Sequence, residues 1–319
     1  MSGTWEPKVS IIIPVYNGAN YMREAIDSAL AQTYPNTEVI VVNDGSRDDG
    51  ETDRIARSYG ERIRYIHKEN GGVSSALNLG IRNMTGEYFS WLSHDDVYAP
   101  EKLRHQIEAL SKAKVENAIG LCGHCFIDEH SARLSKQVQK RFTEGVHLWQ
   151  ETLSDLLVHG TFSGCSLLIP KAAFDACGEF HEELRFSQDA LMWIKILLAE
   201  YPLVYNAHED VYSRIHGKQL TQTGRDLFRK DSNTITKIIL PDLIRVSTKE
   251  MNYLYLYARY HAKYGNREVV HACIEGGKRA ALIGAKHMSV LHLCLLYGAI
   301  RPALRTIYYR ICVKPAKKK

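Results

Sequence analysis

The sequence predicts an α/β protein: a mostly parallel, mixed sheet with helices on both faces, followed by a C-terminal helical region. Three observations carry this. Short β-branched runs alternate with helix-period segments through the first half. Each run ends in a polar or glycine-bearing loop, where the carboxyl edge of a parallel sheet gathers its ligands. From Gly224 onward the pattern is helical. A composition shift near Arg225 sets a boundary between a domain at 1–224 and a region at 225–319.

The elements follow in order. Val9–Ile13 is a buried parallel strand, ended by Pro14. Asn20–Gln32 is an amphipathic helix. Glu38–Val42 is the second strand and runs into Asn43-Asp44-Gly45-Ser46. A polar helix at about Gly50–Tyr59 precedes the strand Arg62–Ile66. Gly71-Gly72 opens a helix to about Asn83. Gly86–Leu92 delivers His94-Asp95-Asp96. Repeated βα units of this kind imply right-handed crossovers. Farther on, Ala118–Ile127 and Ser163–Ile169 read as strands and Trp149–Val158 as a helix. Gln188–Glu200 is an amphipathic helix and Leu203–Ile215 is extended.

Four polar clusters therefore share one sheet edge: Pro14-Val15-Tyr16-Asn17, Asn43-Asp44-Gly45-Ser46, Asn70-Gly71-Gly72 and His94-Asp95-Asp96. Each alone is an ordinary βα loop. Together they make a cleft suited to a nucleotide. Asp44 can accept from a base N–H, Asp95 from a ribose hydroxyl, and the helix start at Gly71-Gly72 can face negative charge. Adjacent acids repel unless a cation or polar ligand lies between them. Oxygen ligands at a strand end suit Mg²⁺ or Mn²⁺ carrying a diphosphate. The other reading of Asp95-Asp96 is an Asx turn before the helix signalled by Pro100 and Glu101. A dinucleotide site needs G-x-G-x-x-G after the first strand, and PVYNGAN holds one glycine; the P-loop pattern is absent too.

Of the 319 residues, the last stretch is distinctive. The net charge is +5, yet no acid follows Glu275, and ten Lys and Arg residues do, which leaves −5 for the rest. These cations mix with Leu293, Leu295, Leu296, Tyr297 and Ile300. Two readings stand: an interfacial segment on an anionic membrane surface, or a helical cap with a solvated basic end. No module for nucleic acid accompanies the cations. No run of about 18 apolar residues spans a membrane, and MSGTWEPK lacks a signal-peptide core. Seven scattered cysteines fit a reducing, cytoplasmic setting. Cys122-Gly123-His124-Cys125 imitates a redox motif, but its strand-like flanks offer no helix N-terminus to stabilise a thiolate.

The run VSIIIPVYNGANYMREAIDSALAQTYPNTEVIVVNDGSRDD, then ENGGVSSALNLGI and GEYFSWLSHDD, resembles the inverting glycosyltransferase family 2, with its Rossmann-like GT-A fold. The resemblance runs from about Lys8 to Gln219. It implies a nucleotide-sugar half at about 8–117 and an acceptor half at about 118–224. It also implies a nucleoside-diphosphate sugar, UDP-hexose or UDP-N-acetylhexosamine first, and a Mn²⁺ or Mg²⁺ cofactor. Asp96 would be the metal ligand, with His94 in place of the first acid of the family's Asp-x-Asp. Asp95 would touch the ribose and Asp44 the base, between Pro14 and Tyr16. Asn17, Gly71, Gly72 and Asn78 complete the donor set. Leu77 stands where many relatives have Arg.

By the same resemblance Asp189, in Ser187-Gln188-Asp189, matches the family's catalytic base, with Gln188 replacing a glutamate. Read without the family, Asp189 is an N-cap or first-turn helix acid before it is a base. Arg214-Ile215-His216 matches an Arg-x-His loop. His216 becomes a candidate for the metal or the diphosphate, and Arg214 or Lys218 for the leaving charge. The implied acceptor is a glycan or lipid-linked oligosaccharide, in surface polysaccharide synthesis at the inner face of the cytoplasmic membrane. A sugar-phosphate nucleotidyltransferase and a non-catalytic scaffold are the alternatives.

Overall fold

The computed structural model describes residues 5–136, 138, 140–217 and 225–312, with 225 and 300–312 as backbone only. Lys218, Gln219, Lys314 and Lys317–Lys319 lie outside the described residues, as do the side chains of Arg301, Arg305 and Arg310. The chain divides into two compact units. One comprises Met1–Leu153 and Thr161–Asp231, the other Ser154–Gly160 and Ser232–Lys319.

In the first unit the described residues form one nine-stranded sheet. Its centre is β1 (Val9–Val15), buried at every position. That burial on both faces is why its sequence is a continuous apolar run rather than an alternating one. β1 pairs in parallel with β2 (Thr37–Asp44) and β4 (Tyr88–Trp91), and β2 pairs in parallel with β3 (Arg64–Lys68). The crossovers are α1 (Met22–Leu30), α2 (Glu51–Arg57) and α3 (Val73–Asn83). All four carboxyl ends therefore fall on one edge, as the sequence predicts.

The remaining strands are mixed. Beyond β4 the order is β8 (Leu167–Pro170), β6 (Ile119–Ile127), β9 (Leu203–Arg214) and β5 (Val97–Tyr98), with β7 (Gly145–His147) on β9. β8 is antiparallel to both β4 and β6. β5 and β7 are too short to leave a periodic signal in sequence. The expected strand at Ser163–Ile169 starts late because Gly164–Ser166 is a 3-10 turn. There a Cβ on Gly164 would meet the Trp91 ring at 2.4 Å, so only glycine passes. Helices α4 (Lys102–Ala113), α6 (Lys171–Cys177) and α7 (Gln188–Leu198) complete the layers, and α5 (Trp149–His159) starts in the first unit and ends in the second.

α8 (Arg225–Val246) begins in the first unit and continues into the second. The second unit adds α9 (Tyr253–Lys263), α10 (Arg267–Arg279) and α11 (Ala285–Cys312). Asn252 and Asn266 cap α9 and α10 by accepting the amides of Tyr255 and Val269. Leu243, Leu254, Val270 and Leu291 are fully buried at its core. No described helix is long and apolar enough to cross a membrane.

Candidate active site

The four edge loops are stitched to one another. The Asn17 amide donates to Ser46 Oγ at 2.9 Å, and the Arg47 amide donates to Asn17 Oδ1 at 2.7 Å. Asn17 holds φ at 50°, a conformation asparagine tolerates better than most residues. Pro14 is buried in β1, and Tyr16 beside it is exposed. The His94 ring packs on Gly18, where a Cβ would lie 2.8 Å from it.

Asp44 is the best-held acid of this edge. Its Oδ1 accepts from Lys68 Nζ at 2.7 Å and from the Gly71 amide at 2.9 Å. Its Oδ2 accepts from the Gly72 amide at 2.7 Å and from Asn70 Nδ2 at 3.2 Å. Four donors fill the acceptor capacity of a carboxylate. The amides expected to face a ligand's negative charge are thus turned on Asp44. Gly72, at φ 91°, is left-handed, which lets its N–H reach inward. Asn78 is buried, and its amide exchanges bonds with Phe180 and donates to Glu182. Its role in this conformation is to hold the segment leading to α7.

Asp95 and Asp96 diverge. Asp95 Oδ2 meets His216 Nε2 at 3.0 Å. Asp96 points inward: Oδ1 accepts the Arg214 amide at 2.9 Å and Oδ2 the Cys165 thiol at 3.3 Å. Burial, with the charge of Asp95 second, pushes the Asp96 carboxyl up to about 7. Burial lowers His94, so its imidazole is neutral at pH 7. Arg214 is fully buried. Its guanidinium donates to the Asp95 and Asp128 carbonyls, to Ser131 and to Glu24, and it lies over the Tyr21 ring. Arg214 braces the loop that carries the acids.

Among the described residues, no group of three or more His, Cys, Asp or Glu side chains converges to hold a metal. The donor chemistry nevertheless suits Mg²⁺ or Mn²⁺. Such ions are commonly bound by one or two carboxylates, waters and substrate phosphates rather than by an all-protein cage. An acid pushed up by burial and a neighbouring acid is one whose ionised form a divalent ion would favour.

Asp189 opens α7, one residue into the helix. Burial pushes its carboxyl up to about 6, against the Ala190 amide at 2.8 Å and Thr161 Oγ1 at 3.4 Å. Gln188 beside it is buried. Thr161 contacts Asp189 and Cys165 contacts Asp96, and the two lie four positions apart in the chain. Four residues span at most about 14 Å. Contacts to the donor edge and to Asp189 therefore come from one short segment. A second link is Arg185, whose Nη1 donates to the Gly71 carbonyl at 2.9 Å. Sequence reasoning did not find Thr161, Cys165, Arg185 or Asp231. They are single polar residues in unremarkable surroundings, and only tertiary contact reveals them. Cys122, within the imitation redox motif, is buried in β6 with its thiol pushed up to about 12, the opposite of an activated thiolate.

A family model described as glycosyl transferase family 2 matches residues 10–174. An uncharacterized glycosyltransferase of Rickettsia felis is 52% identical over 213 residues, covering 67% of this chain and 35% of that relative. The chain thus spans about a third of that protein's length. Among solved structures, S. aureus TarS 1-349 in complex with UDP-GlcNAc superposes with a TM-score of 0.69 at 18% identity, over 95% of this chain and 91% of that one. The mannosyltransferase PcManGT from Pyrobaculum calidifontis, in complex with GDP-Man and Mn²⁺, gives 0.58 at 17% identity, over 96% and 88%.

Proposed function

The chain belongs to glycosyl transferase family 2 and has the GT-A fold, and from that premise we propose that it moves a sugar from a UDP-sugar to a glycan hydroxyl with inversion. The observation that carries the reading is the short link between Asp96 and Asp189 through Thr161 and Cys165. One short segment thus touches both an acid of the nucleotide edge and an acid suited to take a proton.

The base enters between Pro14, Tyr16 and the Asp44 turn. Asp95 faces the ribose, with His216 orienting it. Asp96 and His216 would hold Mg²⁺ or Mn²⁺, which neutralises charge developing on the departing diphosphate. Asp189, with a carboxyl near 6, is ionised at neutral pH yet basic enough to accept a proton. As the acceptor oxygen forms its bond to the anomeric carbon, its proton passes to Asp189. The bond from that carbon to the diphosphate breaks on the opposite face, which inverts the centre. The TarS complex with UDP-GlcNAc supports a UDP-N-acetylhexosamine donor. The PcManGT complex supports a divalent ion.

The half between Ala118 and Arg185 shapes the acceptor site in this reading. The acceptor is lipid-linked, and the protein works at the inner face of the cytoplasmic membrane with its basic C-terminal region against anionic lipid. A panel of nucleotide sugars, scored by thermal shift with and without Mn²⁺ and then by hydrolysis, tests the assignment. A UDP-sugar should raise the melting temperature most, and more with Mn²⁺. Stabilisation by GDP- or dTDP-sugars alone would reject the donor, and indifference to Mn²⁺ the metal.

A further inference from the structure

The second unit carries a surface that its own fold does not explain. A groove of about 570 Å³ opens between α9 and α11, beside the end of α5. Val158, Tyr260, Val290 and Leu293 supply apolar lining, and Arg259 and Lys263 add cations. α11 buries Leu291 and Leu295 on one side. On the other, Leu293, Leu296 and Tyr297 are 65%, 63% and 50% exposed. Their spacing of three and one residues makes a single helical stripe. A soluble helix normally turns such a stripe inward.

Charge selects the occupant. Neither α9 nor α11 contains an Asp or Glu anywhere in its sequence. On α5, His159 of the groove lining is paired with Asp155 at 2.9 Å. Exposed leucine and tyrosine set among Lys and Arg, with acids excluded, is the composition of a helix lying in a membrane interface. A protein partner fits less well, because the cores of protein interfaces are depleted of lysine. α11 is not apolar enough to cross a bilayer, so it would lie along one.

We propose that the α9–α11 face docks onto an anionic phospholipid bilayer, with Leu293, Leu296 and Tyr297 entering the acyl boundary and Arg259 and Lys263 meeting headgroup phosphates. The proposal rests on the membrane reading above and specifies the surface that performs it. Docking there fixes the second unit on the membrane carrying the acceptor.

The test uses the full chain and sedimentation with vesicles of phosphatidylcholine, with or without roughly one third phosphatidylglycerol. Wild type should pellet with the anionic vesicles only. The double variant Leu293→Glu/Leu296→Glu should lower the partition coefficient by at least about tenfold, at low and high salt alike. Arg259→Gln/Lys263→Gln should lower it several-fold at low salt only. Both pairs are solvent-facing, and unchanged UDP binding and melting report that the variants are folded. Wild type that ignores anionic vesicles sinks the docking face together with the membrane reading. Wild type that binds, with folded variants that bind equally, sinks the face alone. A wild-type dimer that Leu293→Glu/Leu296→Glu renders monomeric, with vesicle binding intact, makes the face a contact between copies and overturns the proposal.

Discussion

One buried oxygen of Asp231 accepts the Phe186 amide at 2.7 Å, and the same oxygen takes the amides of Arg185 at 3.1 Å and Ser187 at 2.9 Å. Asp231 is 2% exposed. Three consecutive N–H groups on one carboxylate oxygen fix the turn that launches α7, and Asp189 follows two residues later. The first turns of α8 thus set where the proposed base stands.

Asp231→Ala should leave three amides, one buried and two part-buried, without this partner and cost about 3 kcal/mol of stability. The more telling effect is on turnover. With α7 free to shift, kcat should fall by about tenfold or more, since small displacements of a catalytic group are expensive. UDP affinity should stay near wild type. Asp231→Asn keeps an accepting oxygen and should recover most of both losses. A purely structural residue would lower both constants through the folded fraction alone, so a kcat loss that persists per folded molecule identifies positioning.

The acids of the donor edge give a stability signature. Asp96 is pushed up to about 7 by burial, so the folded state holds its proton more tightly than the unfolded chain does. Stability from this group is full below about pH 4 and is lost as pH rises toward 7. Metal-free wild type should therefore melt lower at pH 8 than at pH 5.5, relative to Asp96→Asn. Mn²⁺ with UDP should restore wild type at pH 8 and leave Asp96→Asn unmoved. Equal Mn²⁺ effects on both proteins would place the ion elsewhere.

Much of this was legible in sequence. Val9–Val15, Thr37–Asp44 and Tyr88–Trp91 are continuous apolar strands with polar ends, so the shared edge and its four loops followed from βα alternation. Arg214 shows the limit. Its place beside His216 suggested a phosphate contact, but the side chain is buried under Tyr21 and bonded to three segments distant in sequence. Asp44 is similar: its identity was readable, whereas its capture by Gly71 and Gly72 depends on a left-handed glycine. Sequence spacing locates a residue on an element. Which way a long or charged side chain turns is settled by acceptors that only the fold assembles.

Lys102 offers a check on the core behind Asp96. It is fully buried, donates to Ser90 Oγ at 2.8 Å and lies 4.0 Å from the centre of the Tyr98 ring. Burial lowers its amine to about 8. Below pH 8 the charge is present in both folded and unfolded chains and its desolvation counts fully against folding. As pH rises from 8 toward 10.5, the folded state sheds the proton first and stability increases. Replacement by an apolar residue of similar length removes that cost, as with other buried charges. Lys102→Met should therefore match or exceed wild-type melting at pH 7, and the advantage should shrink by pH 10. A large loss at pH 7 would mean that the Ser90 and Tyr98 contacts outweigh desolvation.

Asp189 ties stability to chemistry most directly. Burial holds its carboxyl near 6, about two units above an unperturbed aspartate. The ionised form that can accept a proton is therefore the form the fold tolerates least. Stability contributed here is lost between about pH 4 and pH 6, so at neutral pH Asp189→Asn should raise stability by on the order of 1–2 kcal/mol. The same change should cut transfer by about 10²–10⁴, the usual worth of a general base, and leave UDP affinity within about threefold. In wild type kcat should rise with unit slope as pH increases through about 6, because only the ionised carboxylate acts. The acid limb should vanish from the residual activity of Asp189→Asn. Asp189→Asn that loses stability and keeps both its transfer rate and that limb would return Asp189 to a helix-start acid and move the base to another residue.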